Sequence, residues 1–68
     1  MPYRELARLL RGLGCRELRQ RGSHHVWQCG TCVTTIPAHR EGDDVQPGTL
    51  RAIEAALEPC LGQGWLKR

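Results

Sequence analysis

Two different spacings of apolar residues divide this chain into elements. From Pro2 to Leu13 the residues Tyr3, Leu6, Leu9, Leu10 and Leu13 recur every three or four positions, which is the stripe of an amphipathic helix. Arg4, Arg8 and Arg11 fall on the opposite side, where charge is solvated. Pro2 suits a first helical turn, and Gly12 and Gly14 suit an exit. After Gly14 the spacing shortens to that of strands. Cys15 to Gln20 reads as a first extended segment, with Leu18 as its core residue. His24 to Cys29 reads as a second and Cys32 to Ile36 as a third, the last rich in Val, Thr and Ile. Pro37 closes the third because it has no N–H to donate to a ladder.

Gly30-Thr31 lies between the last two segments, a Gly-X pair of the kind a two-residue type II′ hairpin turn requires. Such a turn sets the register. It places Cys29 opposite Cys32, Trp27 opposite Thr34, and His25 opposite Ile36. Alternation then puts His25, Trp27, Cys29, Cys32, Thr34 and Ile36 on one face, and His24, Val26, Gln28, Val33 and Thr35 on the other. The first set holds the larger apolar residues and is expected to pack under the helices. His24 is therefore expected on the open face, and His25 inward or at the rim.

Beyond the polar loop His39 to Asp44, Pro47-Gly48-Thr49 opens a second helix. Leu50, Ile53, Ala56 and Leu57 are expected inward and Arg51, Glu54 and Glu58 outward, with Pro59 ending it. The extension 58–68 contains Trp65 and Leu66, which are expected to pack back on the body. The whole, residues 1–68, is expected to be a single α+β domain in the order α-β-β-β-α. Its three-stranded antiparallel sheet carries both helices on one face.

Composition sharpens this reading in two ways. Sixty-eight residues are near the lower limit for a chain that folds without staples or partners, and they leave no room for an enclosed cavity with a lid. An open active surface suits a polymeric substrate better than a small metabolite. The formal net charge is +3, but it is unevenly spread. Up to Arg21 six arginines face only Glu5 and Glu17, whereas the remainder is slightly acidic. A polyanion is the natural partner of the first half; solvated charge kept for solubility is the plainer reading. No apolar run approaches a membrane span and no signal peptide begins the chain, so a soluble cytoplasmic protein is expected.

The candidate chemistry lies in Arg19-Gln20-Arg21-Gly22-Ser23-His24-His25. Imidazole exchanges a proton near neutral pH, and guanidinium is shaped to hold phosphate. Together they are the minimum equipment for cleaving RNA, whose 2′-hydroxyl supplies the nucleophile without a metal. His24 is the candidate general base or acid; the alternative is an exposed strand histidine with no duty. Arg19 and Arg21 are candidate phosphate holders, one more useful than the other if they lie on opposite faces. His25 and His39 are candidates for a second proton-transfer group. Trp27 reads as core, because base stacking would require it to face outward.

Four cysteines allow two disulfides or part of a metal site. Lacking an export signal, the chain is expected to keep reduced thiols. Cys29-x-x-Cys32 has the spacing of half a zinc site, which makes Cys29, Cys32 and Cys60 candidate ligands, but no metal or other cofactor is assigned.

The ordered set of motifs resembles the HicA family of toxins from bacterial toxin–antitoxin pairs. It comprises Arg4-Glu5-Leu6 through Leu10, then Arg19 to His25, then Thr35-Ile36-Pro37-Ala38-His39, and finally Pro47-Gly48-Thr49-Leu50-Arg51-Ala52-Ile53. The resemblance implies a fold similar to a double-stranded RNA-binding domain, endoribonuclease action on mRNA, and a HicB-like antitoxin as partner. It also implies the family's Gly-Ser-His histidine at His24, or at His25 by the variant Gly-Ser-Asn-His pattern, with RNA contacts from Arg19, Arg21, Ser23 and His25. Three features depart from the family pattern. The loop Cys29 to Cys32 is short, the loop carrying Glu41, Asp43 and Asp44 is acidic, and the chain continues through Cys60 and Trp65.

Overall fold

In a computed structural model, which describes residues 1–67, the first stripe forms helix α1, Tyr3–Gly12. Tyr3, Leu6, Ala7 and Leu10 are buried along it. Free N–H groups of its first turn are taken by the loop between the third strand and the second helix. Tyr3 N–H donates to the Asp43 carbonyl at 2.8 Å and Arg4 N–H to the Glu41 carbonyl at 2.9 Å. Helix starts need such partners, and here they tie the loop after the sheet to α1.

Strands β1 (Arg16–Arg21), β2 (His24–Cys29) and β3 (Cys32–Pro37) form an antiparallel sheet in that order. Both hairpins turn on a Gly-X pair, Gly22-Ser23 and Gly30-Thr31. Gly22 and Gly30 have φ of 55° and 59°, and among the described residues none other than glycine has positive φ. The first central position of a type II′ turn demands that conformation. The β2–β3 register is the expected one, with Cys29 opposite Cys32, Trp27 opposite Thr34 and His25 opposite Ile36. Helix α2 spans Pro47–Leu61. The inward sheet face packs into one core with both helices: Trp27 and Ile36 are fully buried beside Leu6, Leu10, Ile53 and Leu57. The Trp27 indole N–H donates to the Tyr3 hydroxyl at 3.0 Å. The architecture is α+β, in the order α-β-β-β-α.

The structure corrects the sequence reading at four points. Leu18 is exposed, because the β1–β2 register shifts between Glu17 and Arg19. That bulge takes Leu18 out of the alternation. Pro59 lies within α2 and does not end it; its missing N–H would have bonded the carbonyl of Ala55, which sits on the exposed side where water can replace the donor. Ala56 is exposed, the inward face being carried by Ile53 and Leu57.

The fourth correction concerns the thiols. Cys15 is bonded to Cys29 and Cys32 to Cys60, so the cysteines are disulfides, and the zinc reading of Cys29, Cys32 and Cys60 would require the reduced chain. No cluster of His, Cys, Asp or Glu able to hold a metal occurs among the described residues. The missed signal was size. The sheet and two short helices bury little, and cross-links are the usual compensation in such small domains. One bond fastens the lead-in to β1 onto β2, and the other fastens β3 to the end of α2. The extension folds back as expected: Trp65 is buried and donates its indole N–H to the Glu54 carbonyl at 2.9 Å. Leu66 packs against the same core, while residue 68 of the extension lies outside the described residues.

Closing loops of this length stabilises by about 3 kcal/mol per bond in the chain-entropy account. Reduction is therefore expected to lower the melting temperature sharply. Chain purified without reductant should take up no iodoacetamide when unfolded, and four equivalents after reduction. Alkylation of all four cysteines without reduction would contradict the pairing.

Candidate functional site

The two adjacent histidines have opposite surroundings. His25 is 7% exposed and its ring is held on three sides. Its Nδ1 lies 2.8 Å from Glu17 Oε2, its Nε2 lies 3.0 Å from the Ala38 carbonyl, and its ring lies against Tyr3 with centroids 4.3 Å apart. The carbonyl only accepts, so Nε2 carries a proton. Both nitrogens are spent on the protein itself. Burial, more than any other influence, raises the Tyr3 phenol above its ordinary 10.0, the Trp27 hydrogen bond opposing it. Ionising Tyr3 therefore opposes folding, and this contribution to stability is lost as pH climbs past about 10.

His24 is exposed on the helix-free face, opposite Arg21 in β1 and Pro37 in β3. Its ring makes no hydrogen bond among the described residues. The bulge at Leu18 determines what surrounds it. Residues directly opposite one another share a face, so Arg19 joins Val26 and Arg21 joins His24. Arg19 and Arg21 therefore lie on the same face, not on opposite ones. Before the bulge, Arg16 stands opposite Gln28 and its Nη2 reaches Gln28 Oε1 at 3.5 Å. All three arginines are exposed on the His24 face. Strict alternation would have turned Arg16 away from the other two, which is why sequence reasoning missed it. The buried-side pairing of Glu17 with His25 was the available signal, since it requires Glu17 to face the helices.

The remaining candidates are distributed differently. Ser23 is half-buried in the β1–β2 turn, and its carbonyl accepts the Ala38 N–H at 2.8 Å. His39 is exposed in the loop after β3, away from the His24 face. It lines a pocket of about 230 Å³ with Tyr3, Gln20, His25, Arg40 and Glu41. The open face thus collects His24, Arg16, Arg19 and Arg21. His25 and His39 belong to the helix side.

These placements separate the two histidines energetically. His25→Ala leaves the Glu17 carboxylate half-buried without its partner and should cost about 2–4 kcal/mol in chemical denaturation. His24→Ala removes an exposed side chain and should change stability by no more than about 0.5 kcal/mol. Equal costs would contradict the assignment of inside and outside.

A family model described as the HicA toxin of bacterial toxin–antitoxin systems matches residues 3–58, most of the chain. No curated protein and no solved structure matches it. The match spans α1, the sheet and most of α2, so it covers both the His24 face and the His25 anchor. This chain belongs to the HicA toxin family of bacterial toxin–antitoxin systems.

Proposed function

We propose that this toxin is a metal-independent endoribonuclease that cleaves mRNA on the helix-free sheet face, with His24 as its general acid or base. The observation that carries the reading is the convergence of one free imidazole and three guanidinium groups on a single open surface. An RNA strand lying along β1 meets Arg16, Arg19 and Arg21 at alternate positions, which suits successive phosphates. His24 takes the 2′-hydroxyl proton, and the oxygen attacks the adjacent phosphorus. The bond from phosphorus to the 5′ oxygen then breaks. The products are a 2′,3′-cyclic phosphate and a 5′-hydroxyl, whose proton returns from an acid or water. Such acid–base assistance is worth about 10²–10⁴ in rate.

The family supports an antitoxin partner, and we infer a HicB-like protein. An mRNA substrate implies action in the cytoplasm, where thiol reductants oppose disulfides. There the burial of Cys15 and Cys29, at 5% and 2% exposure, shields one bond from attack. Among the described residues no helix is long and apolar enough to cross a membrane.

His24→Ala is expected to lose RNA cleavage and growth arrest while circular dichroism stays unchanged and RNA binding survives. Binding by the variant should still weaken as salt rises, because the arginines supply the phosphate attraction. Full cleavage by folded His24→Ala would overturn the assignment. Binding without cleavage by the wild-type chain would leave a non-catalytic RNA-binding module.

A further inference from the structure

The pocket on the helix side of the sheet is built unlike the arginine face. Its least exposed lining residues are Tyr3 and His25, whose rings lie against each other and form the floor. Its rim carries His39, Arg40 and Glu41 from the loop after β3, and Gln20 from β1. The loop is braced from inside: Asp43 Oδ2 accepts the N–H groups of both His39 and Arg40 at 3.0 Å. Its other side is fastened to α1 through the Arg4 N–H and the Glu41 carbonyl. Gln20 Nε2 donates to the Gly22 carbonyl at 2.9 Å, which leaves the amide oxygen and the second amide N–H as its remaining polar groups.

Among the described residues, neither the Arg40 guanidinium nor the Glu41 carboxylate takes part in an ion pair, and both are exposed at the rim. A ring floor with a cation and an anion beside it is poorly suited to a bare phosphate, which the carboxylate would repel. It suits a flat heterocycle that carries donors and acceptors on one edge. Guanine is the base with adjacent N–H donors at N1 and N2 for a carboxylate, and O6 and N7 acceptors for a guanidinium.

We propose that this pocket binds a guanine base of the RNA strand and so selects where the strand is cut. The cleavage part of this inference rests on the ribonuclease reading above; the base binding does not. Sheet order makes the path short. β1 is an edge strand, and along it Arg21 faces the open side while Gln20 faces the pocket. A strand that leaves the His24 face around this edge presents its next base to Gln20 and the loop. Positive charge lies on one side of the edge and base-reading groups on the other.

The test is a titration of the folded, disulfide-bonded chain with each 5′-mononucleotide, and with inorganic phosphate, followed by backbone amide NMR. The guanine nucleotide is expected to shift the amides of Gln20, His39, Arg40 and Glu41 saturably, and to bind roughly five-fold or more tighter than the other three. Glu41→Gln exchanges one acceptor oxygen for a donor while keeping the backbone carbonyl that caps α1, and should bring the four nucleotides within about two-fold. Shifts confined to the arginine face, or no preference among bases, would overturn the proposal. His24→Ala should retain the preference. Guanine binding by a wild-type chain that leaves RNA uncut would refute the ribonuclease reading and keep the pocket, whereas cleavage without guanine preference would do the reverse.

Discussion

The His25 ring is the contact on which the rest of the structure depends. It joins Glu17 of β1 to the Ala38 carbonyl beyond β3, and it lies on Tyr3 at the start of α1. One side chain thereby links the edge strand, the central strand, the loop after the sheet and the first helix. A buried polar group is tolerable only when its partners are complete, and here every partner comes from a different element. The contact therefore exists only in the folded arrangement. Because successive strand residues point to opposite faces, the anchoring of His25 inward turns His24 outward. The free imidazole is free because its neighbour is not.

A second constraint follows from Glu17. Facing the helices, it forces β1 to absorb Leu18 as a bulge, and the residue thrown out of alternation brings Arg16 onto the face of Arg19 and Arg21. The positive surface is thus a consequence of the same buried contact. The disulfides hold the edges of this arrangement. Cys15–Cys29 fixes the lead-in to the bulged strand, and Cys32–Cys60 keeps α2 over β3. In a domain of this size, cross-links restrict the unfolded chain where core area is scarce.

Much of this was legible in the residues. Gly30-Thr31 and the alternation after it were enough to place His25 opposite Ile36 and to bury Trp27, because a two-residue hairpin leaves no freedom of register. The helical stripe of α1 was equally clear. What escaped was whatever depends on partners distant in sequence. Leu18 looked like core because hydrophobicity alone does not reveal a bulge set by a carboxylate bonding eight residues away. The cysteines read as reduced for want of an export signal, and spacing carries no pairing information to oppose that. Cys29 and Cys32 flank one turn, yet each bonds elsewhere. The pocket was hidden for the same reason, since Gln20 and His39–Glu41 meet only when the loop after β3 returns to cap α1.

The family match establishes a toxin of a toxin–antitoxin pair, and the two faces divide the proposed work. Phosphate attraction and proton transfer fall on the open side, base selection on the helix side. What would join them in the proposed reaction is attack by the substrate's own 2′-hydroxyl, which is the step an isolated imidazole can assist. The most direct measurement is therefore the chemistry of the cut ends, read by mass spectrometry of a short RNA after incubation with the wild-type chain. Fragments ending in a 2′,3′-cyclic phosphate or its hydrolysed 3′-phosphate, each followed by a 5′-hydroxyl, are predicted. Fragments bearing a 3′-hydroxyl and a 5′-phosphate would mean that water had attacked instead, and would contradict the account.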